Sequence, residues 1–309
     1  MRADHRFDAG WTALIAAIFV LSLGSTVAKK VGAPGVTLAC VRSLLACAVW
    51  QGILAVRGRH LTWVGLRISL GPGVLFGVNI AFFFSAIQHT RIANVEFMGS
   101  LTPLVVVPLG AFFFHEHIPW NALTWGIPAI GGVAMVAFLA ERTPGESNTL
   151  GLVLAVGAIF TWSAYLLVIK GLRARIDIPE FMAGIGLGAG LVLLPFSISK
   201  GFISEIPARG WPWLLLLTLM NGVIAHTLLL VAQRSVPVGT ISTLQVSQPA
   251  LAAGAAWLLL GESVTPGQVV GMAIVLVSLA AYTLTVQRSR VRATPVVATT
   301  DGELEGTPG

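Results

Sequence analysis

Charge is what this chain has least of. Only 10% of its 309 residues are Asp, Glu, Lys or Arg, against about 25% in ordinary soluble domains, so it cannot cover a soluble globule with polar surface. Cysteine is scarcer still. Cys40 and Cys47 share one apolar run, seven residues or about 10.5 Å apart along a helix. That separation excludes a disulfide within the helix and leaves two small packing residues. Short alternating strands, the mark of a membrane β-barrel, are missing. So are a phosphate-binding Walker loop, a metal-ligand cluster and any nucleophile–base spacing; the sequence calls for no cofactor and no metal. An intramembrane enzyme would need paired acids or a His/Asp set at one depth, and only Glu96 and Arg42 come near that.

Apolar sequence is abundant. Hydrophobic residues make up 55% of the chain and the mean hydropathy is +0.85. Runs close to the roughly 20 residues that cross a bilayer as a helix recur throughout. Ten fit: 11–28, 36–55, 68–88, 92–113, 120–139, 150–169, 181–198, 211–232, 238–260 and 266–286. The first resembles a signal peptide, but no convincing cleavage site follows, and it reads as a retained helix. The expected fold is an all-α membrane protein. Residues 1–10 form a cytoplasmic N-terminus and 288–309 a polar, disordered cytoplasmic tail.

The net charge of +6 has no need of nucleic acid, because basic residues gather at cytoplasmic loop ends. With the N-terminus inside, twelve Lys and Arg face the cytoplasm and six (Lys29, Lys30, Arg91, Arg142, Lys200, Arg209) face out. That asymmetry favours both termini in the cytoplasm of a multi-pass inner-membrane protein.

The chain also repeats itself. "GVNIAFFFSAIQ" (77–88) aligns with "GVIAHTLLLVAQ" (222–233) at an offset of 145, and "MGSLTPLVVVPLGAFFFHE" (98–116) with "LQVSQPALAAGAAWLLLGE" (244–262) at 146. Pro103 meets Pro249, and Glu116 meets Glu262. Five spans per half is an odd number, so residues 11–139 and 150–287 would cross the membrane in opposite senses. Inverted repeats of this kind belong to alternating-access transporters, with the substrate near the midplane between them.

These halves resemble two copies of the EamA-type domain of the drug/metabolite transporter superfamily, in which Pro in the fourth span precedes an apolar run ending in Gly-Glu, as in "QPALAAGAAWLLLGESVTP" (248–266). "VGAPGVT" (31–37), "GVNIAFFFSAIQ" and "VEFMG" (95–99) are further similar to the bacterial threonine/homoserine exporter branch. First-half "FHEHIP" departs from the pattern, with His115 where the second half has Gly261. The resemblance implies ten helices and export of small metabolites, often amino acids, driven by protons. Drug efflux or uptake is the rival within transport. A homodimer stays open.

Glu96 and Arg42 are the two lone charges inside first-half spans. Measured from Ile92 and Val36, they lie about 6 and 9 Å inside the same face. They could form an ion pair, or stand as two poles around a zwitterion, with Arg42 receiving carboxylate and Glu96 ammonium. The bland readings are snorkelling for Glu96 and carbonyl capping for Arg42. Gln245 and Gln248 share a helix face at i, i+3. Asn79 and His226 add polar groups, His226 as a candidate proton carrier, though buried amides often only join helices. Trp162 and Tyr165 could wall a substrate cavity or simply pack. Glu116 and Glu262, each followed by Pro (Pro119, Pro266), fit an acid at the start of a re-entering helix. "GIGLGAG" (184–190) reads as two small-xxx-small faces for close packing.

Overall fold

A chain crossing lipid must satisfy its backbone internally, and helix does this without a partner strand. The computed structural model describes residues 2–114, 124–140, 149–172, 177–199, 201–232, 244–245 and 247–293. Its regular structure there is entirely helical. The helices are α1 (Arg2–Val31), α2 (Gly35–Val56), α3 (Trp63–His89), α4 (Ile92–Gly99), α5 (Thr102–Phe114), α6 (Gly126–Ala140), α7 (Thr149–Leu172), α8 (Ile178–Ile198), α9 (Trp211–Leu217), α10 (Ala225–Ala232), α11 (Gln248–Leu260) and α12 (Pro266–Ala293). A π-helical segment, Thr218–Ile224, joins α9 to α10. Six helical stretches are long and apolar enough to cross a membrane, and three shorter apolar helices accompany them. Large apolar side chains such as Phe112, Ile127, Leu258 and Val277 stay exposed, as lipid-facing residues do. This is a multi-pass membrane protein.

The ends differ from expectation in two places. Helix α1 begins at Arg2, inside the expected N-terminal tail, and α12 runs through Arg288 to Ala293. Residues 294–309 and Glu116 lie outside the described residues.

Local chemistry sets the boundaries. Thr62 caps α3 by accepting from the Gly65 amide at 3.0 Å. Its own N–H and hydroxyl both donate to Glu180 Oε1 (2.8 and 2.5 Å), which ties the α3 start to the α8 start. The fourth run is not one helix. It stops at Gly99, where Ser100 and Thr102 hydroxyls fold back on the Phe97 and Gly99 carbonyls (2.6 and 2.7 Å). It restarts with Pro103, whose missing N–H suits only a first turn. Pro249 occupies the same place at the start of α11. The repeated prolines therefore mark helix restarts.

Glycine lets α8 nest between α2 and α3. A Cβ on Gly188 would lie 3.0 Å from the Leu70 carbonyl of α3, and one on Gly186 would lie 2.9 Å from the Ser43 carbonyl and 3.0 Å from the Cys47 amide of α2. Gly184 also abuts α3, at Ser69, and Gly190 abuts α2, at Leu44. "GIGLGAG" thus carries two faces, 184/188 and 186/190, as the small-xxx-small reading expects. Helices α6 and α12 approach through a mutual glycine contact, each of Gly132 and Gly271 facing the other's carbonyl.

Candidate functional site

The bundle has two polar ends. One carries the ends of α1 and α3 and the starts of α2, α4 and α7; it is called here the Lys29 end. The other carries the end of α2 and the starts of α3 and α8, joined by an Arg59–Asp177 pair at 3.0 Å.

Arg42 sits two turns into α2 and is only 5% exposed. Its guanidinium lies over the Phe84 ring, 5.7 Å from the centroid, and its Nε has no hydrogen-bond partner. A buried cation with an idle donor is costly. It opens onto a cavity of about 20 Å³ whose lining includes Ser43, Trp50, Phe76, Tyr165 and Gly222, room for a water molecule in this closed arrangement. Arg42 is the one charged residue on that lining. Tyr165 stacks on Trp162 at 5.0 Å and meets Phe76 at 5.3 Å. Of the two expected wall residues, Tyr165 lines the space and Trp162 backs it.

The π segment contributes from the far half of the chain. The Trp50 indole donates to the Gly222 carbonyl at 3.1 Å, a carbonyl in the widened turn. Asn221 beside it lies against Gly24 of α1.

Glu96 is elsewhere. It is 8% exposed, and its Oε1 accepts from the Ser25 hydroxyl of α1. Arg42 and Glu96 do not form the ion pair that their matched depths allowed, since each already faces a different element. Asn79 donates to the Ala158 carbonyl of α7 at 2.8 Å, joining two helices rather than facing the cavity. Gln245 and Gln248 flank the restart before α11, both half-buried. The side chain of His226 lies outside the described residues.

Sequence reasoning missed a polar cluster at the Lys29 end. Lys29 Nζ meets Glu262 Oε1 at 2.5 Å and donates to the Thr90 carbonyl at 3.2 Å. The second Glu262 oxygen accepts from the Ile92 amide at 2.9 Å, so Glu262 caps α4. The expected role for Glu262, an acid serving the helix that follows it, is corrected: its carboxylate turns to a helix 170 residues earlier. Arg91 reaches the Ser263 carbonyl and hydroxyl. Gln268, 1% exposed, donates to Asn94 Oδ1 at 3.4 Å. The recurrence of Glu116 and Glu262 was the one available signal.

A polytopic helical protein with a buried cation held beside aromatic side chains is built like a carrier of small solutes. The chain belongs to the EamA-like transporter family, whose model matches residues 9–138 and again 149–284; it is a transporter and not an enzyme. It is 27% identical over 292 residues to the threonine/homoserine exporter RhtA of Escherichia coli strain K12, covering 89% of this chain and 91% of that one. It is also 24% identical to the pseudopaline exporter CntI of Pseudomonas aeruginosa strain UCBPP-PA14, over 65% of this chain and 70% of the relative. A protein of known crystal structure superposes with a TM-score of 0.62 at 21% identity, covering 92% of this chain and 99% of its own. That likeness concerns the fold alone.

Proposed function

We propose that this chain is a ten-span secondary transporter of the bacterial inner membrane that exports threonine- or homoserine-like amino acids by proton antiport, with both termini in the cytoplasm. The observation that carries the reading is Arg42: a buried guanidinium with a free donor, the one charged residue on the lining of a small internal cavity that must widen to admit a solute. A carboxylate is the ligand that would satisfy it, by charge and by the planar fork. The exporter RhtA, by its name, handles solutes that carry one.

Packing supports two inverted halves, 11–139 and 150–287. Helix α3 packs on α7 as α10 packs on α1, and α5 and α4 pack on α7 as α11 packs on α1. Pairs that the symmetry maps onto themselves, α2 with α8 and α6 with α12, also pack closely. Such exchange is what an inverted repeat requires.

Glu96 is the coupling group in this reading. Held by Ser25, it stands off the cavity; when α1 and α4 part, it meets the substrate ammonium. Taking up a proton then weakens that hold and releases the solute. The test is efflux of labelled threonine and homoserine from proteoliposomes under an imposed pH gradient. Wild-type protein should export and Glu96→Gln should not, at equal incorporation. Gradient-independent export by both would remove proton antiport.

A second reading, export of a bulkier metabolite, is favoured by the similarity to CntI and by the Trp50, Phe76 and Tyr165 walls. Competition of the labelled efflux by larger carboxylates with aromatic groups separates the two.

A further inference from the structure

Five groups at the Lys29 end form two rungs between elements that belong to different parts of the chain. On α1, Ser25 and Lys29 are four residues apart and share a face; on α4, Ile92 and Glu96 do the same. Ser25 bonds Glu96. One turn nearer the end, Glu262 bridges Lys29 Nζ at 2.5 Å and the Ile92 amide at 2.9 Å. The arginine beside it, Arg91, holds the neighbouring Ser263. The cavity is lined by α2, α3, α7, α8 and the π segment and runs from Arg42 toward Trp50 and Met182, residues nearer the opposite end. The Glu262 bridge therefore lies nearer the Lys29 end than the cavity does, across the elements that close that end.

We infer that the Lys29–Glu262–Ile92 bridge is the gate that seals the cavity from the Lys29 end, and that it must break for substrate to leave there. This rests on the transporter reading but not on the identity of the solute. The bridge has the properties a reversible gate needs. Its bond to Ile92 ties α4, which packs on α7, to the turn after α11, which packs on α1, so parting of these two packed groups must rupture it. Its side chains are 27% and 12% exposed, buried enough to resist screening yet reachable by water when they part. Glu262 follows Gly261, whose φ of +71° is a left-handed cap that glycine adopts without strain; that turn can swing Glu262 off α4 while α11 stays whole. Arg59–Asp177 at the opposite end, with side chains 48% and 39% exposed, is held far more loosely.

Lys29 and Glu262 are thus positioning residues for transport, and accessibility, rather than transport rate, reports them. The experiment uses full-length protein with Cys40 and Cys47 replaced by alanine and a single reporter, Ser43→Cys, on the cavity lining. A charged, membrane-impermeant methanethiosulfonate is applied from the Lys29 side to wild type, Lys29→Met, Glu262→Gln and the double variant. Glu262→Gln keeps an oxygen to accept from Ile92 while losing the ion pair, so α4 stays capped. Each single variant should label roughly five- to thirtyfold faster, as loss of a bond contributing about one to two kcal/mol to a two-state balance gives, and the double variant should match the singles. Labelling from the opposite side should slow in step, which misfolding would not produce. Unchanged labelling in both singles, or multiplicative effects in the double, overturns the gate. Normal gate behaviour in a protein that exports no amino acid would overturn the proposed substrate and leave the gate standing.

Discussion

Replacing Gly186 tests how tightly α8 is set against α2, and with it the wall of the cavity beside Arg42. An alanine Cβ there would lie 2.9 Å from the Ser43 carbonyl and 3.0 Å from the Cys47 amide. Both are backbone atoms, so no rotamer change relieves the contact and the helices must separate. Overpacking of this kind costs about 1–3 kcal/mol, partly offset by the roughly 1 kcal/mol that alanine gains over glycine in a helix. Gly186→Ala should therefore lose about 0–2 kcal/mol. Gly186→Leu, with three more carbons against the same backbone, should lose about 3 kcal/mol or more. The control is Gly131→Ala in α6, where an added Cβ meets nothing within 4 Å and only the helix gain remains. Thermal unfolding of purified protein in detergent, followed by tryptophan fluorescence, orders the three: Gly131→Ala at or above wild type, Gly186→Ala slightly below, Gly186→Leu several degrees lower. A Gly186→Leu protein as stable as wild type would mean that α2 and α8 are not in contact, and the cavity built between them would go with it.

Other outcomes follow from single contacts. Asn79→Ala removes the α3–α7 bond and should cost about 1 kcal/mol, as interhelical bonds in membranes do, while the substrate concentration at half-maximal export stays unchanged; a large change there would return Asn79 to the binding site. Trp50→Phe keeps the ring but frees the Gly222 carbonyl, and should weaken substrate binding less than Trp50→Ala does in equilibrium binding to purified protein. Cysteines placed at Arg91 and Arg234 should label from opposite sides of the membrane; labelling from one side would sink the inverted ten-span arrangement.

Much of the helical layout was legible because lipid leaves a chain few options. Apolar runs had to be helices, and "GIGLGAG" had to be a contact surface, since glycine at that density in a membrane helix has no other physical use. Pro103 and Pro249 could be matched by the repeat, though their work, restarting a broken helix, needed backbone geometry. The polar connections were harder. Nothing local to Lys29 points to Glu262, and Ser25 is an ordinary serine until α4 brings Glu96 against it. Equal depth suggested an Arg42–Glu96 pair, but depth along an axis says nothing about direction around it. Arg42 turns to the cavity and Phe84, and Glu96 turns to α1. The π segment at 218–224 hid inside a uniformly apolar run because widening a helix by one residue leaves the hydropathy unchanged.

The central claim is that Arg42 receives the carboxylate of the exported solute. Equilibrium binding of labelled threonine and homoserine to purified wild type, Arg42→Lys and Arg42→Ala tests it most directly. Loss of a charge-assisted, partly bidentate contact in a buried site should weaken binding by about 2–3 kcal/mol, roughly 30- to 150-fold, in Arg42→Ala. Arg42→Lys should fall between, retaining the charge but not the fork. Binding by Arg42→Ala at wild-type affinity, in protein that remains folded, would contradict the account.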